Sequence, residues 1–393
     1  MTPSSPPTRS YLDHASTSPL RPAARDALVE ALGVVGDPGR IHAEGLTTRV
    51  MVEQAREHVA DLVGARPREV VFTGGATEAI AAACWGAAAR HRARVGTGGH
   101  QVVPAVEHSA VRLAAARHGD VTAVPVDGQG RVDVDELMAE VRDDTALVHL
   151  QWGNHEVGTT QPVAEAVAAC RERGVLVHVD AAQAVGRVPV AFRDLGADLV
   201  SVSAHKLGGP TGVGALLVRQ GLRLPPLLVG GDQERARRAG LENVAGLAGF
   251  GAACAELGAG GGAAVVREGD EQRRLTGRIL TAVASQPDFD GLRVYGDPAG
   301  RLPHIVCLGV EDIEPQAVLL GLDRAGIAAH SGSACASESL EPSPVLEAMG
   351  VDAHHSLRLS VGWSTTDADV DRLLEALPGV LAELRALVRA THA

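Results

Sequence analysis

The segment Ser201-Val-Ser-Ala-His-Lys-Leu-Gly-Gly-Pro-Thr-Gly-Val-Gly-Ala215 gathers a hydroxyl, an imidazole, an amine and several glycines into what reads as one turn after a strand. Such a turn can bind phosphate through Ser203 and backbone amides while presenting Lys206 as an amine whose pKa can be lowered for imine formation. Taken alone, the segment reads equally well as a surface lysine on a glycine-rich loop. Upstream, His178-Val-Asp-Ala-Ala-Gln183 ends a strand on a carboxylate. Asp180 there can pair with a protonated ring nitrogen or simply cap a helix. Further upstream, Phe72-Thr-Gly-Gly-Ala-Thr-Glu78 reads as a strand, a small-residue turn and a helix start, which offers amides and the Thr77 hydroxyl to a phosphate.

A second kind of chemistry sits in His330-Ser-Gly-Ser-Ala-Cys-Ala-Ser-Glu-Ser-Leu-Glu-Pro-Ser343. Its small polar residues predict a mobile loop with an accessible thiol at Cys335, as a nucleophile requires. Cys84, Cys170, Cys254 and Cys307 stand in apolar or helical context, where a buried structural thiol is the usual outcome. Five widely spread cysteines without a CxxC pair argue against both a disulfide framework and a zinc site.

These residues need a scaffold, and the pattern between Glu53 and Gly214 supplies one. Helical spacing covers 53–63 and 77–91. Strand candidates recur at 69–72, 101–103, 121–125, 146–150, 175–179, 199–202 and 214–218. Most are continuous apolar runs separated by crossovers, which predicts an α/β fold with a mostly parallel sheet between helices and a ligand crevice at the strands' carboxyl ends. The glycine-rich stretch 258–264 is a candidate hinge. After it, strands at 292–295 and 303–308 and a helix from Asp367 to about Thr391 predict a smaller α+β unit.

With 393 residues, 45% hydrophobic and 21% charged, the chain has the balance of a globular protein of two domains. Aromatic residues make up only 2%, so the core must be aliphatic. A net charge of -12 argues against general affinity for nucleic acid or anionic membrane. The absence of a signal-like apolar core or an 18-residue apolar stretch predicts a cytoplasmic protein.

Several motifs in order, Thr73-Gly-Gly-Ala-Thr-Glu78, Glu107-His108, Asn154-His-Glu-Val-Gly158, His178 to Gln183, Ala204-His-Lys206 and Ser331-Gly-Ser-Ala-Cys335, make the sequence resemble fold-type I pyridoxal-phosphate enzymes. In particular it is similar to the cysteine desulfurases of the NifS/IscS type, in the class V aminotransferase family. The likeness runs from Tyr11-Leu-Asp-His-Ala15 through Gly362. It implies a large cofactor-binding domain over residues 15–258 and a small domain of 1–14 and 259–393 that carries the cysteine loop, about 330–343. It implies that Lys206 holds pyridoxal 5'-phosphate as an imine, Asp180 pairs with the pyridinium nitrogen, and Gln183 and His155 face the phenolic oxygen. Ala76, Thr77, Ser203 and His205 would hold the phosphate. His108 would stack on the ring and assist proton transfer, while Asn154, His155 and Arg358 would meet the substrate. The implied reaction converts L-cysteine to L-alanine and leaves a persulfide on Cys335 for an acceptor protein; the implied assembly is a homodimer. The cysteine segment resembles that of the class with an extended loop.

Two positions depart from the family. His155 stands where a second asparagine is expected, which bears on substrate range. Leu241 stands where a threonine reaches the neighbouring subunit's phosphate, and loss of that bond costs roughly 0.5 to 3 kcal/mol. A lyase or aminotransferase acting on another amino acid stays open, as does a non-catalytic scaffold. The joint presence of Lys206, Asp180, Gln183, His108 and Cys335 weighs against the scaffold.

Overall fold

Apolar runs that are hydrophobic on both faces become central strands only where helices cover both sides of a sheet, and that cover is present here. The computed structural model describes residues 9–96, 99–331 and 342–391. Its strands are β1 (Ser10–Tyr11), β2 (Val70–Thr73), β3 (His100–Pro104), β4 (Val121–Val124), β5 (Thr145–Gln151) and β6 (Val177–Asp180). The remainder are β7 (Leu199–Ser203), β8 (Gly214–Val218), β9 (Leu292–Tyr295), β10 (Ile305–Val310), β11 (Ile327–Ala328) and β12 (Ser356–Ser360).

Seven strands form one sheet in the order β2-β8-β7-β6-β5-β3-β4. Strands β3 to β7 are parallel, and β8 is antiparallel to both its neighbours, so the sheet is mostly parallel as the sequence predicts. The central strands β5, β7 and β8 are buried along their whole length, whereas edge strand β4 exposes its first residues. The main core is aliphatic, as expected, with Val148, Leu150, Val179, Val200 and Val202 from the strands packed against Ala55, Val59 and Leu247 from helices.

A second core joins Leu12 to Leu275, Ile279, Val306, Leu308, Leu357, Leu359, Leu373 and Leu377, around the antiparallel sheet β12-β10-β9. The N-terminal residues enter this core because β1 pairs in parallel with β11. The chain then crosses towards the large sheet, with the Asp13 backbone bridged to Ser360 and Ser18 N donating to the His205 carbonyl at 2.9 Å.

The predicted strands 214–218 and 292–295 agree to the residue, and the others shift by one or two. The helix expected from Glu53 starts ten residues earlier, at Ala43. Its first turns carry glycine, threonine and valine, poor formers held by packing, and its cap is His42, which accepts from Gly45 N. The glycine-rich stretch is a corner of 80° between helices Val244–Gly258 and Ala263–Ser285. Gly260, Gly261 and Gly262 all take positive φ there, the left-handed region that favours glycine. No single helix among the described residues is long and apolar enough to cross a membrane.

Candidate active site

The carboxyl ends of β2, β5, β6 and β7 open on one cleft of about 430 Å³, joined by the amino end of antiparallel β8. Ala76, Thr77, His108, His155, Asp180, Gln183, Ser203, His205, Lys206 and Arg358 all line it. Asn154 does not. It is fully buried, with its amide nitrogen on the Val106 carbonyl and its oxygen accepting from the amides of Glu156 and Val157. These bonds fold the turn that carries His155 into the cleft.

Lys206 follows β7 in a short turn, and its Nζ donates to the Ala15 carbonyl at 2.8 Å. Burial, then the Arg358 guanidinium, draw its pKa down to about 8, although Asp180 and Asp13 pull the other way. Asp180 ends β6, where its Oδ1 accepts from Ala182 N at 3.0 Å and Ser201 Oγ at 3.1 Å.

Opposite them, helix Ala76–Val95 begins with no side chain capping its first amides, because its cap position is Gly75 at φ 143°. Uncapped amides and the helix dipole make this end an anion cradle. A Cβ on Gly214 would lie 2.7 Å from Gly75 Cα, so only glycine lets β8 start this close to the cradle. Ser203 and His205 complete the wall, with His205 Nδ1 3.2 Å from Thr17 Oγ1.

Two imidazoles meet edge to face at 4.8 Å, His108 and His155. His108 caps helix Ser109–His118, its Nδ1 accepting from Ala110 N at 3.0 Å, so a neutral ring carries its proton on Nε2. Burial, and secondarily each other or Lys206, hold both rings neutral: His108 falls to about 4 and His155 to about 3.

Arg358 lies on β12 and is almost fully buried. Its Nη1 donates to the His155 carbonyl at 2.9 Å, and its Nη2 to Asp13 Oδ1 at 3.0 Å and Ser16 Oγ at 2.7 Å. Both Nη2 protons are thus engaged, and a two-pronged grip on a carboxylate requires Asp13 or Ser16 to yield.

Cys84, Cys170, Cys254 and Cys307 are free and buried, and burial pushes all four thiols up, so they are inert. Cys335 lies outside the described residues. The flanks of its segment are fixed at the cleft: His330 exchanges backbone hydrogen bonds with Arg358 at 3.2 and 2.7 Å, and Ser343 Oγ donates to Glu156 Oε2 at 2.5 Å, beside His155. Among the described residues no His, Cys, Asp and Glu cluster could hold a metal ion.

The contributions of Asp13, Ala15 and Ser16 were not assigned from sequence, although Tyr11-Leu-Asp-His-Ala15 was part of the resemblance and was the signal available. The Aminotransferase class-V family model matches residues 10–373. This chain belongs to the class-V aminotransferase family. Its architecture is the fold-type I arrangement of that family. A curated relative, the cysteine desulfurase of Cereibacter sphaeroides, is 42% identical over 390 residues, covering 96% of this chain and 97% of the relative. Cysteine desulfurase IscS 1 of Archaeoglobus fulgidus is 39% identical over 389 residues, covering 96% and 98%. Among solved structures, a NifS-like protein superposes with a TM-score of 0.85 at 29% identity, over 96% of this chain and 100% of that one. SspA in complex with cysteine gives 0.76 at 26% identity, over 91% and 100%.

Proposed function

We propose that this class-V aminotransferase is a pyridoxal-phosphate-dependent cysteine desulfurase that converts L-cysteine to L-alanine and takes the sulfur onto Cys335. The observation that carries the reading is the convergence of Lys206, Asp180 and Arg358 on one cleft beside a glycine-led helix N-terminus.

The residues fit that cofactor. A low-pKa amine faces a strand-end carboxylate across a cleft with an anion cradle, and two buried polar atoms, His155 Nδ1 and Arg358 Nε, lack protein partners. In this assignment the Ala76 and Thr77 amides, Ser203 and His205 hold the phosphate, Asp180 pairs with the ring nitrogen, Gln183 donates to the phenolic oxygen, and His108 flanks the ring. Bound pyridoxal phosphate supplies an electron sink that stabilises negative charge at the substrate α-carbon.

The protein's own groups do the rest. Arg358 orients the substrate carboxylate, and the Lys206 amine, once free, takes the α-proton. The Cys335 thiolate attacks the substrate sulfur, so that an S–S bond forms as the substrate C–S bond breaks. The electron pair of that bond stays with the carbon fragment, which gains a proton at Cβ, takes the α-proton back from Lys206 at Cα, and leaves as alanine.

A cytoplasmic location is proposed with the same reading, and so is a homodimer. Its support is an exposed apolar edge, with Val229 78% and Leu241 60% exposed, next to a second cavity of about 370 Å³ that Leu224, Pro225, Pro226 and Arg238 share with Thr73 and Glu78 beside the cradle. A protein acceptor of unknown identity then takes the sulfur. The test is an assay with L-cysteine and a reductant: equimolar alanine and sulfide support desulfuration, and sulfide without alanine refutes it.

A further inference from the structure

Gln183 is held from both ends. Its Nε2 lies 2.8 Å from the Ala15 carbonyl, and its Oε1 lies 3.1 Å from His304 Nε2. A carbonyl can only accept, so the atom facing Ala15 must be the amide nitrogen, and the orientation of the carboxamide is not arbitrary. The oxygen then faces His304, whose Nε2 must carry the proton. With one N–H on Ala15 and its oxygen turned to His304, Gln183 keeps its second N–H as the remaining donor for the cleft it lines.

His304 is fully buried just before β10, and its own backbone is pinned. Val361 N donates to the His304 carbonyl at 3.0 Å, and Leu302 N donates to the Gly158 carbonyl at 2.8 Å. Its Nδ1 has no partner, as befits a neutral Nε2–H ring, and burial followed by the charge of Arg187 holds the ring well below ordinary histidine. A protonated ring would lie among Arg187, Lys206 and Arg358.

We propose that His304 is a positioning residue: its Nε2–H, acting with the Ala15 carbonyl at the other end, fixes the Gln183 carboxamide so that a hydrogen-bond donor faces the anionic ring oxygen of the cofactor. This rests on the pyridoxal-phosphate reading above and goes beyond it, because His304 does not line the cleft and belongs to the strand unit across it. Were the amide free to turn, its oxygen would face that anion and repel it.

The test compares His304→Met with His304→Gln, two side chains of equal reach of which only the second keeps a donor near the Nε2 position. Wild-type protein loaded with pyridoxal phosphate is measured first, by its visible band and by borohydride fixation on Lys206. If these are absent in wild type, the cofactor reading fails and not merely this inference. A donor facing the ring oxygen favours the form with more negative charge on it. Its loss in His304→Met therefore moves the visible-band titration upward by about one pH unit and weakens cofactor binding about tenfold. His304→Gln restores both. Equal titration midpoints and equal dissociation constants for wild type and a folded His304→Met overturn the proposal. If His304→Met does not fold, the imidazole ¹⁵N signal of wild type that vanishes in His304→Gln decides: Nε2–H supports the proposal, and Nδ1–H overturns it.

Discussion

Lys206 Nζ and Gln183 Nε2 each lie 2.8 Å from the same acceptor, the carbonyl of Ala15, so the N-terminal segment holds the amine at the mouth of the anion cradle. A lysine in that position is desolvated and sits near Arg358, which is why its pKa is drawn down to about 8.

Only the unprotonated amine attacks an aldehyde. The rate at which cofactor-free protein takes up pyridoxal phosphate should therefore rise with pH and level off above a midpoint near 8. Stopped-flow absorbance from pH 6 to 10 measures it. A rate still climbing at pH 10 would indicate an ordinary lysine.

Arg358 is already engaged by Asp13 and Ser16. Arg358→Gln should raise KM for L-cysteine by about tenfold or more, since hydrogen bonds to a charged group contribute about 1.5–3 kcal/mol. Asp13→Asn weakens the competing pair and should lower KM roughly threefold, in keeping with the ~0.5–1.5 kcal/mol of a typical hydrogen bond. Steady-state kinetics of both variants decide, and a raised KM in Asp13→Asn would show that the pair orients the arginine instead of competing with substrate.

Buried neutral histidines set the acid limit. His14 and His155 fall to about 3, and His108 and His178 to about 4, chiefly through burial, against an ordinary value of 6.5. Each has a folded pKa below its unfolded one, so its contribution is present above pH 6.5 and is lost as pH falls towards the folded value. The slope is at most about 1.4 kcal/mol per pH unit for each group. Glu107 and Glu242, whose carboxyls burial raises, work in the opposite sense but are outnumbered by the histidines. Calorimetry should show Tm falling steadily from pH 7 to 4.5, and a flat Tm would contradict the burial of these rings.

Leu241 is 60% exposed beside Gly74, Gly240 and Arg238. If a second copy brings it to a phosphate, Leu241→Thr should tighten pyridoxal phosphate by about 0.5–3 kcal/mol. Equilibrium dialysis reads this directly; an unchanged dissociation constant would deny the residue that role.

The large sheet was legible because β5, β7 and β8 are buried on both faces and write themselves as unbroken apolar runs. The cradle was legible as well, since glycine before a helix start has few other uses. Strand β12 was harder. Ser-Leu-Arg-Leu-Ser alternates like a half-exposed strand, yet Arg358 and its serines point into a packed interior and all five residues are buried. Asp13, Ala15, Ser16 and His304 were illegible in their roles, because each acts through a partner more than a hundred residues away in sequence. Asn154 does not line the cleft for a local reason: two following amides within reach engage its oxygen.

The reaction itself turns on Cys335, and one variant tests it most directly. Cys335→Ser protein, loaded with pyridoxal phosphate and given L-cysteine, should keep its visible band and shift it on binding substrate, yet form no persulfide and release no sustained alanine. Alanine production by that variant at the wild-type rate would contradict sulfur transfer to Cys335.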